Sequence, residues 1–299
     1  MTFREYLQLK GYSRKSIASI QKICSYFQSW CATESISDET EVSHNDIIAY
    51  IKTVTDKRIS QKTAANYISH IKKYYDYLIK EHGLIDNPCS YIMIKGIKRK
   101  TLYDIISYET LEQVCHSYPI EAKNPYQSLI RKRNKVMLGL LIYQGLRSEE
   151  LMKLELADLQ LREGKIMIQG GRRSAGRVMK LESGQVFELM DYVNDTRKAL
   201  LQQTNKMPKD TTALFITTTK GAAIDSNTMK ILLRQIQTLN NKITSLNQVR
   251  ASVIVHWLRQ YNLRKVQHLV GHKHISSTEA YQSSDLEDLK EDISKYHPF

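Results

Sequence analysis

Leu269-Val270-Gly271-His272-Lys273-His274-Ile275-Ser276-Ser277-Thr278-Glu279-Ala280-Tyr281 sets a histidine directly after a glycine, with a tyrosine nine residues further on. On one unbroken helix, at ~100° per residue, His272 and Tyr281 would lie on opposite faces. A shared site therefore needs a break between them. Ser276, with Glu279 three residues later, has the spacing of a capping box, so a new helix is expected to start there and to carry Tyr281 in its second turn. A phenol brought to a histidine on its own short helix is what a tyrosine nucleophile would need. The same residues also read as a helix ended by Gly271 and capped by His272, with Tyr281 one of 18 tyrosines packing its ring. The rest of the chain decides between the two.

The 299 residues suit two domains with a packed core in each. Lys and Arg number 44 against 31 acidic residues, a net charge of +13. Such a balance calls for a polyanionic partner, with nucleic acid the default; a ribosome-associated or tRNA-binding protein would carry the same charge. No apolar run approaches the length of a membrane span. The start, Met1-Thr2-Phe3-Arg4-Glu5, lacks the apolar stretch of a signal peptide. Cys24, Cys31, Cys89 and Cys115 have no paired metal-ligand spacing, and Cys24 and Cys31, two helical turns apart, read as small core residues. A reduced cytoplasm is the expected setting, with no membrane partner. No cofactor or metal is expected, and the absence of a carboxylate cluster agrees with that.

The first hundred residues read as helices. Ser13 is placed to cap a helix with Ile17, Ile20, Cys24, Phe27 and Cys31 at three- and four-residue steps. Ser43 opens another, with Ile47, Ile48 and Ile51 on one side. Ser60 opens a long one through Tyr67, Ile68, Ile71, Tyr75 and Leu78, ending near Gly83. Its outer face is read as Lys62, Lys72, Lys73 and Lys80 interleaved with Tyr74 and Tyr77, either a solvated face or a surface for nucleic acid. Asn87-Pro88 stops the helices. The basic run Ile94-Lys95-Gly96-Ile97-Lys98-Arg99-Lys100 then forms a connector suited to lie along a phosphate backbone.

The second region starts with a helix around Tyr108–Ser117. Arg131-Lys132-Arg133-Asn134-Lys135 leads into the apolar run Val136–Tyr143, and after Gly145 a helix from Arg147 runs through Leu151 and Leu154. Lys165–Gln169 and Arg177–Leu181, joined by a glycine-rich turn, read as a hairpin, with a further short strand at Ala213–Thr217. Helices follow at Ser226–Leu239, Gln248–Gln260 and Leu263–Val270. The chain is thus mainly α with a small β-sheet.

Three stretches of this region now fall in a known order. Tyr143-Gln144-Gly145-Leu146-Arg147-Ser148-Glu149-Glu150-Leu151 resembles the first arginine box of the tyrosine recombinases, the phage-integrase and Xer family. The run from Arg264 to His272, with Ile275-Ser276-Ser277-Thr278 and Tyr281, is similar to that family's second box. Asn247-Gln248-Val249-Arg250 stands where the family has His-x-x-Arg. The resemblance covers nearly the whole chain. It implies a helical N-terminal core-binding, SAM-like domain over 1–93, a basic linker over 94–104 and an α+β catalytic domain over 105–299, clamped around a duplex.

The implied activity is site-specific recombination, whether integration, excision or inversion, by DNA cleavage and rejoining through a 3′-phosphotyrosyl intermediate. Attack on a phosphodiester gathers negative charge on two equatorial oxygens, which guanidiniums can bind in pairs while staying charged. By position, Arg147 and Arg250 fill that role and Tyr281 is the nucleophile. His272 would bond the phosphate and orient or deprotonate the phenol. Glu150 either braces the site or is a solvated carboxylate. DNA contacts are expected from Lys62, Lys72, Lys73, Lys95, Lys98, Arg99 and Lys100.

Two residues depart from the family pattern. Asn247 replaces a histidine; it can donate a hydrogen bond but cannot move a proton at neutral pH. The hairpin lysine that usually protonates the leaving 5′-oxygen is missing. Counting forward from Arg147 puts Gly171 at its place, and counting back from Arg177 puts Arg172 there. Arg172 is taken as the substitute, a fixed charge rather than a proton donor, with Lys180 the lesser choice. A catalytically impaired DNA-binding accessory or regulatory protein is the competing function, and a type IB topoisomerase would share much of the chemistry. The family resemblance further implies a tetramer holding two duplexes, with an accessory DNA-bending protein as a further partner. Leu286, Leu289, Ile293 and Tyr296 recur at helical steps, forming a tail helix that packs either on a neighbouring protomer or on its own domain.

Overall fold

A computed structural model describes residues 1–56, 59–95, 104–171, 174–203, 211–219 and 221–282. The chain divides into two units, Met1–Lys100 and Thr101–Phe299. The expected tail helix from Leu286 to Tyr296 lies outside the described residues.

In the first unit, Thr2 and Glu5 cap α1 (Phe3–Leu9) reciprocally, and Ser13 caps α2 (Arg14–Thr33) by accepting from the Ser16 N–H. α3 spans His44–Asp56, and α4 (Gln61–His82) runs from its Ser60 cap to Gly83, which takes the left-handed conformation that ends it. The apolar stripe of α2, from Ile17 to Cys31, is buried as its spacing predicts, against Ile47, Tyr50, Ile68, Ile71 and Tyr75. Phe27 meets the Tyr50 ring edge-on at 5.1 Å between centroids. Two readings are corrected. Ile48 is exposed, because the inward stripe of α3 is Ile47, Tyr50 and Val54, and residue 48 sits about 100° away from it. Tyr77 is not on the outer face of α4: its ring is buried beside Phe3 and its hydroxyl donates to the Met1 carbonyl at 2.9 Å.

The second unit is built around one helix. α5 (Tyr108–His116) packs on α6 (Pro125–Tyr143), where Val136 to Ile142 are buried on all sides. Asn124 caps α6 and Pro125 fills its first turn, so the helix starts ahead of the basic run. One member of that run, Arg133, is buried, with its guanidinium donating to the Ile216 carbonyl at 2.6 Å and to the Asn134 side chain. α7 (Ser148–Leu151) is a single turn, shorter than the reading that took it through Leu154.

Among the described residues the sheet has three antiparallel strands in the order β1 (Leu159–Gln160), β2 (Lys165–Ile168), β3 (Arg177–Lys180). The hairpin is as expected, with Lys165 opposite Lys180 and Ile168 opposite Arg177; β1 was not anticipated. The expected strand at Ala213–Thr217 forms only isolated bridges, Glu155 to Ala213 and Ile216 to Ala223. Its backbone bonds go to irregular chain instead, Leu214 N–H to the Leu154 carbonyl and Ile224 N–H to the Phe215 carbonyl. α8 (Ser183–Asp191) and α9 (Arg197–Gln202), joined through a π turn at Tyr192–Thr196, cover a stretch the sequence left unread. α10 (Ser226–Leu239), α11 (Leu246–Gln260) and α12 (Leu263–Val270) complete the fold as expected. A further helix, α13, covers residues 276–282 at the end of the described chain.

Candidate active site

Gly145 sets the first corner of the site. It has φ of +56°, and a Cβ there would meet the Trp257 ring at 3.1 Å and Val253 at 3.3 Å. Only glycine fits both demands. The chain then turns into α7 with Arg147 as its N-cap, half-buried, and the Arg147 N–H donates to Glu150 Oε2 at 2.9 Å.

Glu150 is buried and holds two guanidiniums. Arg177 donates Nη1 to Oε1 at 2.9 Å and Nη2 to Oε2 at 3.0 Å, a bidentate pair, while Arg250 Nη1 stands 3.6 Å from Oε2. Burial pushes the Glu150 pKa up, but the Arg177 hydrogen bonds and charge outweigh it and hold the carboxyl below its usual value. Glu150 is therefore a buried, ion-paired carboxylate, and the solvated alternative fails.

Arg250, one turn into α11, donates from Nη1 to the Gly145 carbonyl and from Nη2 to the Val270 carbonyl at 2.8 Å. These two acceptors come from the first arginine box and from the end of α12, so one side chain joins three elements. Burial lowers its pKa below the ordinary guanidinium value and Glu150 offsets part of that.

Gly271 ends α12 at φ +71°, and its carbonyl accepts from the Ala175 N–H at 2.9 Å. Ser174 bridges His272 in antiparallel fashion, so the hairpin loop is stitched to the second box. A Cβ at Gly271 would come within 2.6 Å of Arg177 Nη1 and 2.9 Å of the Ala175 carbonyl.

His272 is 6% exposed. Burial first, then the Arg250, Arg147 and Arg177 charges, lower its pKa to about 4, so the ring is neutral at pH 7. Nδ1 lies 2.9 Å from Thr278 Oγ1. The break after His272 is present, and α13 carries Tyr281 back over the histidine, ring centroids 6.1 Å apart and planes 17° from parallel. The helix starts differently from the expected capping box. Ser276 is its first helical residue, and the Ile275 carbonyl accepts from Thr278 N–H at 2.7 Å and Glu279 N–H at 3.0 Å.

The remaining expected residues are more scattered. Asn247 is exposed on the first turn of α11. Arg172 lies outside the described residues, as do Lys98, Arg99 and Lys100. Gly171 donates its N–H to the Ser174 carbonyl, and Lys180 is exposed on the outward face of β3. In the first unit, Lys62 and Lys95 are exposed, Lys72 donates to the Ser90 carbonyl at 3.2 Å, and Lys73 bonds Ser69. Sequence reasoning gave no role to Arg177 and none of its own to Thr278. The signal for Arg177 was present: on β3 it alternates in phase with inward-facing Met179, and a charge on that face needs a buried partner.

The model of the phage integrase family matches residues 120–287, and that of the phage integrase N-terminal SAM-like domain matches residues 1–82. The tyrosine recombinase XerD of Oceanobacillus iheyensis is 27% identical over 300 residues, covering 99% of this chain and 97% of its own. XerC of Bacillus subtilis is 26% identical over 302 residues, covering 99% of this chain and 95% of its own. Among solved structures, XerH bound to a palindromic difH substrate after cleavage matches with a TM-score of 0.74 at 18% identity, over 94% of this chain and 80% of that one. A lambda integrase dimer bound to a core site matches with a TM-score of 0.63 at 13% identity, over 93% and 92%. The fold is shared with both.

Proposed function

Because the chain belongs to the phage integrase family, we infer that the cluster around Glu150 is a phosphodiester-cleaving site in which Tyr281 is the nucleophile. The protein is a tyrosine-type site-specific DNA recombinase, breaking and rejoining DNA strands. The observation that carries the site assignment is the stacking of Tyr281 on His272 beside Arg250. The Tyr281 oxygen attacks phosphorus, the bond to the 5′-oxygen breaks, and the 3′-phosphate stays on the tyrosine. The phenolic proton leaves to solvent or to a neighbouring base, and the departing 5′-oxygen gains one. The phosphotyrosyl bond keeps the energy of the broken linkage for rejoining.

Arg147 and Arg250 bind the two equatorial oxygens. Arg250 is held by main-chain carbonyls before substrate arrives, and preorganised charge of this kind usually supplies the largest share of catalysis, about 10²–10³-fold per donor. Asn247 adds a hydrogen-bond donor at the exposed end of α11 and Arg172 a fixed charge at the leaving oxygen. The partner is double-stranded DNA, contacted by Lys62, Lys72, Lys73 and the basic run from Lys95 to Lys100, so affinity falls steeply with salt. Two duplexes are held by four protomers, residues 1–93 and 105–299 acting as core-binding and catalytic domains.

The test is a nicked suicide duplex carrying a site selected by this protein from random-sequence DNA. Wild type forms a covalent adduct and Tyr281→Phe binds the duplex without forming one. Binding by wild type with no adduct would overturn the assignment.

A further inference from the structure

Thr278 is 0% exposed, and its hydroxyl has a single hydrogen-bond partner among the described residues, His272 Nδ1 at 2.9 Å. Two protonation patterns fit that distance. If Nδ1 carried the proton, the hydroxyl would accept it and its own hydrogen would point into dry protein with no acceptor. If Nδ1 is bare, the hydroxyl hydrogen satisfies it and nothing is left unpaired. A buried donor without an acceptor is the costlier arrangement, so the second pattern is favoured. The proton on the neutral ring then sits at Nε2, which makes no hydrogen bond to any described residue.

Backbone bonds hold the pair in register. The His272 N–H donates to the Gln267 carbonyl at 3.0 Å, the Gln267 side chain donates back to the His272 carbonyl at 3.1 Å, and the Thr278 N–H is fixed by Ile275 at 2.7 Å. Thr278 stands one turn before Tyr281 on α13, so the histidine contact and the nucleophile travel on one helix.

We propose that Thr278 is a positioning residue for strand cleavage: it donates to His272 Nδ1 and locks the imidazole as the Nε2–H tautomer, which presents a hydrogen-bond donor to the scissile phosphate and cannot take the phenolic proton. The inference rests on the cleavage reading above and assigns its histidine one of two roles. It also makes His272 competent only when α13 is docked, because the hydroxyl that fixes the tautomer leaves with the helix. Which nitrogen is protonated follows from the bond the other makes.

The experiment has two independent readouts. In ¹⁵N-histidine-labelled full-length protein, with His272→Gln identifying the signal, long-range ¹⁵N–¹H correlation is expected to find Nε2 protonated and Nδ1 bare. Thr278→Val removes the hydroxyl at nearly constant volume. It is expected to populate both tautomers and to slow adduct formation on the suicide duplex by about 10–100-fold, the size of loss seen when a metal-bound histidine loses its orienting partner. Affinity for the same duplex stays unchanged, and Thr278→Ser restores both the tautomer and the rate. An Nδ1–H tautomer in wild type would overturn the proposal, as would a wild-type adduct rate in Thr278→Val. If wild type forms no adduct, the cleavage reading fails, and the spectrum still decides the tautomer.

Discussion

Glu150 and Arg177 meet end-on, two N–H groups on two carboxylate oxygens at 2.9 and 3.0 Å, with both side chains almost wholly out of water. Arg177 is thereby spent on the protein. Arg250 is not, since its approach to Glu150 is 3.6 Å and its hydrogen bonds to Gly145 and Val270 go to neutral carbonyls. One carboxylate thus stands among two buried guanidiniums and the half-buried Arg147. The excess of positive charge is what a phosphate would complete.

Glu150→Gln should be severe. It leaves Arg177 buried without a counter-charge, and breaking a buried pair from one side costs about 3–5 kcal/mol. Urea unfolding should register that loss. Adduct formation should fall as well, since the same change frees the guanidiniums to move. A loss under about 1 kcal/mol would mean that water or another group already screens Arg177.

Glycine 271 separates conformational strain from collision. Gly11 and Gly271 both have φ above +70°, but a Cβ at Gly11 meets nothing within 4 Å, whereas at Gly271 it meets Arg177 and the Ala175 carbonyl. Gly11→Ala should cost about 1–2 kcal/mol, the left-handed penalty alone. Gly271→Ala should cost more and should also abolish adduct formation, because Arg177 and the hairpin must shift. Thermal unfolding of the two variants, with the suicide assay on each, reads both effects. Equal costs would show that the loop yields freely.

His272 ties stability to acid. Its folded pKa of about 4 lies below the ordinary histidine value near 6.5. Between those values the unfolded chain binds the proton and the folded chain does not, so stability rises with pH there. The contribution is complete above about pH 6.5 and is lost as pH falls through 4, amounting to roughly 3 kcal/mol. His70 and His256 are also shifted down by burial. The term is therefore the difference between wild type and His272→Gln in urea unfolding from pH 4 to 8. Parallel curves would show that His272 titrates normally.

Much of this was readable in the sequence, and for a physical reason. Serine caps, stop glycines and three-four apolar spacing are local, so α2 and α4 start after Ser13 and Ser60, and α4 and α12 end at Gly83 and Gly271. The family resemblance pointed to Arg147, Arg250, His272 and Tyr281, and the fold stacks Tyr281 on His272. What was not legible depends on contacts far apart in the chain. The strand phase of Arg177 turns it inward, but its partner Glu150, 27 positions earlier, does not show in the local pattern. The segment after Ala213 has strand-like residues, but whether a strand forms there depends on a partner the segment does not encode. The Ser276 capping box failed for a subtler reason: the carbonyl of Ile275 took the first helical bonds, one residue earlier.

Asn247 offers the sharpest test of how protons move. It stands exposed on the first turn of α11, at the position where the family carries a histidine, and as an amide it cannot titrate near neutrality. His272, held neutral by burial and by three arginines, does not titrate between pH 5.5 and 8 either. The wild-type rate of adduct formation should therefore show no histidine inflection in that range. Asn247→His introduces a group with an ordinary pKa near 6.5 at an exposed site, and its rate should acquire an inflection between about pH 6 and 7. Asn247→Ala should slow the reaction without changing the shape of the profile. The measurement is single-turnover adduct formation on the suicide duplex at half-unit pH steps, with duplex affinity checked at each. A histidine-like inflection already present in wild type would place the titrating group elsewhere and would remove Asn247 as the reason for its absence.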